Sequence, residues 1–316
     1  MKQFLLCSLL LISSTCLYAQ VGIGTTSPKA YFNVADNRDV LFGLDVSGSG
    51  EKLFWNANKA AFRVGSIDSN QWDDNQIGTR SFGIGYNAAA TSFNTFAIGF
   101  RVTASGNNST AMGNNVSTNS FQGSVIIGDY GGYVYNNTAS NQMTMRFNNG
   151  YMLYTSSDGQ NSAVGVKLNG SGNAWQTISD STRKENFRPV SGASFLQKIS
   201  RMRLGSWNYK GQDVKQYRHY GPMAQEFFAA FGHDELGIIG EDTSINQADF
   251  DGVNLIAIQA LIKEVDQLKH DNQVLRAELD ATRQNEKTTQ SLMRKVEKLE
   301  ALLTEHPGSA SVTFKR

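Results

Sequence analysis

Between Ser81 and Tyr130 an apolar residue followed by glycine recurs at almost constant spacing: Ile84-Gly85, Ile98-Gly99, Met112-Gly113 and Ile127-Gly128, in steps of 14, 14 and 15 residues. A hydroxyl residue stands four before each glycine, at Ser81, Thr95, Ser109 and Ser124. A small or apolar residue stands two before it, at Gly83, Ala97, Ala111 and Ile126, and Ala88, Val102 and Val116 follow three after the first three glycines. Internal periodicity of this kind marks a solenoid. Each unit is expected to be a short strand, a turn and a second short strand, with Phe82, Ile84 and Phe96, Ile98 alternating onto one side. Glycine at a fixed place supplies a turn or a close backbone approach. So thin a coil has little interior, so its apolar face must be buried against neighbouring units and neighbouring chains. Ordinary sandwich strands with coincidental spacing are the competing arrangement, and four matched units make the solenoid the preferred one.

Composition places this repeat in an unusual chain. The 316 residues carry 29 basic and 28 acidic side chains, so the basic excess that a nucleic-acid partner would require is missing. Charged residues are only 18% of the chain and sit mostly after Ser179, leaving the first half polar and poor in charge. Residues 1–19 read as a signal peptide: Lys2, an apolar run from Phe4 to Ile12 too short to span a bilayer, and Leu17-Tyr18-Ala19 before a cut that leaves Gln20 first. Cys7 and Cys16 fall inside it, so no disulfide framework is expected. An exported chain with no membrane span after signal removal follows, located outside the cell or on its surface.

Residues 81–130 resemble the head repeats of trimeric autotransporter adhesins. That resemblance implies a left-handed parallel β-roll shared by three chains. The opening Val21-Gly22-Ile23-Gly24-Thr25-Thr26-Ser27-Pro28 looks like a segment common at the start of such exported fibre proteins. Gly22 and Gly24 are no dinucleotide loop, because the third glycine and the strand–glycine–helix context are missing. Residues 20–80 are taken as a β-rich N-terminal region. Residues 131–178 are taken as a β-rich neck, with strand-like runs at Met143–Phe147, Tyr151–Tyr154 and Val164–Leu168 separated by turn clusters that include Ser157-Asp158-Gly159. Trp55, Trp72 and the tyrosines are candidates for a glycan surface, but aromatics packed between chains or against strands is the preferred account.

At Ser179 the chain changes character. Ser179-Asp180 and Lys184-Glu185-Asn186 alone describe a solvated turn before a helix. Downstream come Trp207-Asn208-Tyr209-Lys210, then Tyr217-Arg218-His219-Tyr220-Gly221-Pro222-Met223-Ala224-Gln225-Glu226-Phe227, then Asp251-Gly252-Val253. These ordered blocks, from Ser179 to about residue 270, resemble the self-cleaving intramolecular chaperone domain that ends phage tailspikes and endosialidases and also occurs in a membrane-bound transcription-factor family of animals. The resemblance implies that Ser179 is a nucleophile, Lys184 its general base and Ile178–Ser179 the scissile bond. A serine hydroxyl is a weak nucleophile without a base, and lysine serves only if burial or nearby positive charge lowers its pKa. His219 either orients the pair or is a hydrogen-bonded structural histidine. Asp180 and Asn186 are supporting candidates that shape the turn, and Gln225 is expected as an amide buried in the fold. The segment departs from many relatives at Ser181-Thr182-Arg183, where an apolar residue usually precedes the lysine.

From Val253 to Glu305 the pattern becomes helical, about 75 Å at 1.5 Å per residue. Ile258, Leu261, Val265, Leu268, Leu275 and Leu279 fit a heptad with Asn272 at a core position, weak around Thr282 to Thr289, resumed at Met293 and Val296 and out of frame near Leu299. A trimeric coiled coil is expected over 253–305 and a disordered tail over 306–316, with residues 179–252 as the chaperone domain between neck and helix. His219, His233, His270 and His306 are too far apart in sequence to suggest a metal site, and no cofactor loop occurs.

The fold expected is mixed: a trimeric β-roll, a small α+β chaperone domain and a long helix. The function expected is a homotrimeric fibre or adhesin whose chaperone assembles the trimer and then acts once as a serine autopeptidase. Its partners would be other copies of itself and a surface glycan or protein ligand. The alternative is a surface adhesin that never cleaves and keeps its stalk. A glycan hydrolase is disfavoured, since Asp73, Asp74 and Asp129 form no persuasive acidic pair.

Overall fold

The computed structural model describes residues 20–156 and 164–305. The expected signal peptide with Cys7 and Cys16, the turn at Ser157-Asp158-Gly159 and the tail from His306 onward lie outside the described residues. The chain divides into two compact units, Met1–Ser179 and Asp180–Arg316.

The first unit opens with β1 (Val21–Ile23) and β2 (Phe32–Val34), paired in parallel. Strands β3 (Val40–Phe42), β4 (Gly50–Asn56) and β5 (Ala61–Ile67) form an antiparallel meander. From β5 onward the pairing turns parallel and the coil begins. One wall is built by β6 (Phe82–Tyr86), β8 (Phe96–Phe100), β10 (Thr110–Asn114), β12 (Val125–Gly128) and β14 (Met143–Arg146), which complete an eight-stranded sheet with β3, β4 and β5. The other wall is a four-stranded sheet of β7 (Ala89–Ala90), β9 (Thr103–Ala104), β11 (Val116–Ser117) and β13 (Tyr135–Asn136). The strand–turn–strand unit expected from the repeat is what forms.

The register explains the glycines. Gly65, Gly85, Gly99, Gly113 and Gly128 lie side by side across five strands. Gly85, Gly99 and Gly113 have φ of 119°, 133° and 105°, and a Cβ on each would stand 2.1, 2.0 and 1.8 Å from the carbonyl oxygen of the next glycine in the row. Both conformation and space exclude a side chain there. Arg146 ends the row beside Gly128.

The hydroxyls close turns inside the coil. Ser81, Thr95, Ser109 and Ser124 are fully buried. Thr95 Oγ1 donates to the carbonyl of Ser92 and Ser124 Oγ to that of Phe121, each at 2.7 Å and each three residues back. Ser81 Oγ does the same to Gly78, while Ser109 Oγ lies 3.1 Å from Thr118 Oγ1. A side-chain oxygen thus satisfies backbone that a coil this thin cannot pair otherwise.

The interior is narrower than the apolar alternation suggests. Ala88, Ala90, Ala97, Val102, Ala104 and Ala111 line it with Val116 and Ile126. Phe82, Ile84, Phe96 and Ile98 do share one side, and that side faces outward, since Gly83 and Ala97 on the alternate positions are the buried ones.

The coil also extends beyond 81–130 at both ends. Gly65 precedes Gly85 by 20 residues and Arg146 follows Gly128 by 18, so longer turns hide the first and last rungs from a 14-residue repeat. The neck expected from residue 131 therefore starts later, with the antiparallel sheet of β15 (Gly150–Tyr154), β16 (Gly165–Asn169) and β17 (Gln176–Thr177).

Large side chains close the ends of the coil. Arg63 is fully buried in the place above Gly83, and its guanidinium donates to the carbonyls of Phe62, Ser81 and Ala90 and to Ser81 Oγ at 2.8–2.9 Å. Burial lowers its pKa to about 10. Trp72 is also fully buried and donates from Nε1 to the Ala88 carbonyl at 2.7 Å, which excludes it as a glycan platform. At the far end Arg146 pairs with Asp129 at 2.7 Å and lies over the Tyr135 ring.

The second unit contains α1 (Gly192–Arg201), the antiparallel pair β18 (Gly205–Trp207) and β19 (His219–Gly221), α2 (Ala224–Phe231) and α3 (Gln247–Glu305). Ser191 caps α1, its hydroxyl accepting from the Ser194 amide. Gly192 lets α1 approach α3 closely: a Cβ there would lie 2.7 Å from the Ala260 Cβ. Helix α3 begins six residues before the expected Val253, because Asn246 Oδ1 accepts from the Ala248 amide and Phe250 packs on Phe227. Its heptad residues Ile258, Leu261, Val265, Leu268, Leu275 and Leu279 are all exposed in the single chain.

Candidate active site

Strand β17 ends at Thr177, and Ile178 and Ser179 close the first unit. Asp180 opens the second. Its carboxylate accepts from the Thr182 amide at 2.9 Å and caps the 3₁₀ turn Ser181–Arg183. That backbone N–H holds the Asp180 carboxyl below its usual pKa, with smaller contributions from the Thr182 hydroxyl and the Arg183 charge. Lys184 follows the turn, its amide donating to the Ser181 carbonyl at 3.3 Å. Ser179 and Lys184 are both exposed in the single chain, whereas Arg183 is half-buried. Asn186 turns the chain with φ of 57°, a conformation asparagine tolerates better than most residues. Asp180 and Asn186 thus lie at the two ends of this turn-containing segment.

The remaining candidates sit on the β18–β19 pair and on α2. His219 stands opposite Trp207, with its ring stacked on the indole at 4.7 Å and edge-on to Tyr209 at 5.7 Å. The two sequence blocks that begin at Trp207 and Tyr217 are thus the two strands of one hairpin-like pair. Arg218, which the sequence reasoning passed over, fastens that pair by donating to Asn208 Oδ1 at 3.0 Å and Ser206 Oγ at 2.6 Å. Its place inside the quoted block that begins at Tyr217 was the available signal. Glu226 was also passed over. It lies in the first turn of α2 and pairs with Arg203. Gln225 is exposed on α2 rather than buried, because the apolar side of that short helix is carried by Phe227, Phe228 and Phe231.

The acidic residues weighed for glycan hydrolysis hold structure instead. Asp129 pairs with Arg146, Asp73 accepts from the Gly48 amide at 2.6 Å, and Asp74 pairs with Lys59 at 3.4 Å. Among the described residues no group of three or more His, Cys, Asp or Glu side chains is placed to hold a metal, and no helix is long and apolar enough to cross a membrane.

A β-solenoid followed by a small α/β region and a long C-terminal helix is a tail-fibre-like layout. Residues 179–234 match the family model described as chaperone of endosialidase. The match opens at Ser179 itself and includes the turn, α1, the β18–β19 pair and α2. Helix α3 and the Asp251-Gly252-Val253 block lie beyond its end. No curated protein and no solved structure matches the chain.

Proposed function

We propose that this chain is an exported homotrimeric fibre protein whose C-terminal domain assembles three copies and then releases itself by cutting Ile178–Ser179. One observation carries the reading: the family match begins at Ser179 and the boundary between the two compact units falls directly after it. A cut there severs no strand or helix, since β17 ends at Thr177 and the next turn begins at Ser181.

In the proposed reaction Lys184 Nζ takes the Ser179 hydroxyl proton and Oγ attacks the Ile178 carbonyl carbon. The C–N bond to Ser179 breaks, its amine takes the proton, and an ester joins Ile178 to Oγ. Water then hydrolyses the ester, leaving a carboxylate on Ile178 and a free Ser179 N-terminus. A lysine base requires a depressed pKa, hence burial or a nearby cation. Lys184 is exposed in one chain, so the reading assigns that burial to neighbouring copies and makes assembly the trigger.

Denaturing electrophoresis of the purified protein tests this. Wild type is expected as two fragments meeting at Ile178–Ser179, with Ser179→Ala and Lys184→Ala each a single full-length band. A wild type that assembles and stays whole supports the permanent-stalk adhesin instead, a reading favoured by the exposure of both residues in the single chain.

A further inference from the structure

We infer that the outward wall of the eight-stranded sheet is the surface on which a second copy of this chain packs. The inference rests on the self-association proposed above and names the face that performs it. Two rows of outward residues run across all eight strands. In one, Phe62, Phe82 and Phe96 follow one another with ring centroids 5.8 and 5.3 Å apart. In the other, Leu53, Val64, Ile84, Ile98, Met112 and Ile127 stand side by side. Thr110 is the one polar residue in either row, and neither contains a charge. Beside them Tyr86 stacks on Phe100 at 5.0 Å.

This wall is open in the single chain. Phe42 is 62% exposed, Phe96 42% and Met143 60%. The opposite wall contrasts with it: the row across β7, β9, β11 and β13 is Ala89, Thr103, Ser117 and Asn136, with Ala89 itself buried, and Tyr135 is the one large exposed side chain on those four strands. A solvated coil has no use for an apolar wall on one side only.

Size and form select the occupant. Seven strand spacings of about 4.8 Å make a ribbon roughly 34 Å long. Aromatic side chains of about 150–250 Å², each partly open, bring its accessible area to the order of 1,000 Å². That meets the roughly 800 Å² per partner of a stable interface. A second copy brings the same rung spacing and the same two rows without further design. The chain also leaves a second apolar stripe uncovered, on α3, with the heptad form that identical helices cover.

The test uses the full chain with Cys7 and Cys16 replaced by serine. Phe96→Cys and the milder Met112→Cys probe the apolar wall, and Ser117→Cys the opposite one. Mass is read by sedimentation and maleimide labelling rate under native conditions. The expected result is an assembly in which both apolar-wall cysteines label at least about tenfold more slowly than Ser117→Cys. An assembly of two copies with the same protection retains the inference and overturns the trimer. An assembly in which Phe96→Cys and Met112→Cys label as fast as Ser117→Cys overturns the inference and leaves self-association standing. A monomer overturns both.

Discussion

Thr95 and Gly99 show how differently two residues of one repeat are constrained. Thr95 Oγ1 is buried and donates to the Ser92 carbonyl at 2.7 Å. Thr95→Val keeps the shape and loses that bond, leaving a buried carbonyl short of a partner, a loss of about 1–2 kcal/mol. Gly99 has φ of 133° and no room: an added Cβ lies 2.0 Å from the Gly113 carbonyl oxygen. Gly99→Ala combines backbone strain with overpacking against a neighbour that is itself backbone, for about 4 kcal/mol or more. Guanidinium unfolding of the Ser179→Ala background checks the order, with Gly99→Ala expected far below Thr95→Val. Equal midpoints would mean that the glycine row is not the tight contact described. The same contrast explains what the sequence disclosed at this scale. The glycines and hydroxyls repeat because backbone geometry demands those types. The left-handed turns at Asn87, Asn94, Asn108 and Asn115 also recur by rung, and their asparagines were a periodic signal that went unread. Arg63 occurs once, so no period announces it, and its role follows only from the open end of the coil.

At the scale of elements, what was legible is what repeats or what is long. The four central rungs and α3 could be read directly. The first and last rungs could not, because the turns before Phe82 and after Gly128 are longer and Arg146 replaces the final glycine. The N-terminus of α3 was misplaced because Gly252 resembles a boundary, whereas it lies inside the helix behind the Asn246 cap. At the candidate site, the turn around Asp180 and Asn186 is local and could be read from the sequence. The exposure of Gln225 and the stacking of His219 on Trp207 depend on pairings ten or more residues away and were not. The α1–α3 contact belongs to this scale as well. Gly192→Leu places a side chain where Ala260 Cβ already stands 2.7 Å from the nearest added atom, and should cost about 1–3 kcal/mol. Thermal unfolding of the uncleaved chain measures it. Gly192→Ala, which adds only the clashing Cβ, should show part of that loss, and adding Ala260→Gly should recover it; no recovery would place the effect elsewhere than this contact.

For the whole molecule the proposed function raises the question of why a fibre should need an assembler that it then discards. Each rung of the solenoid pairs with the next 14 or so residues away, so a single coil can form locally. Matching apolar walls between separate chains has no such help: it is bimolecular, and a slip by one rung still pairs like with like. Chains joined through their α3 helices would meet at effective concentrations of about a millimolar, against micromolar protein in solution. That ratio favours the first in-register encounter by about three orders of magnitude, and after cleavage it is no longer available. The proposed function therefore predicts a difference in refolding. Uncleaved Ser179→Ala protein, diluted from guanidinium, should regain its assembled mass in sedimentation. The cleaved fibre of residues 20–178, treated in the same way at micromolar concentration, should regain it at least about tenfold less well or aggregate, while resisting unfolding as well as the uncleaved form before denaturation. If the fragment refolds as readily as the uncleaved chain, the C-terminal unit is not acting as a chaperone and the permanent-stalk reading gains.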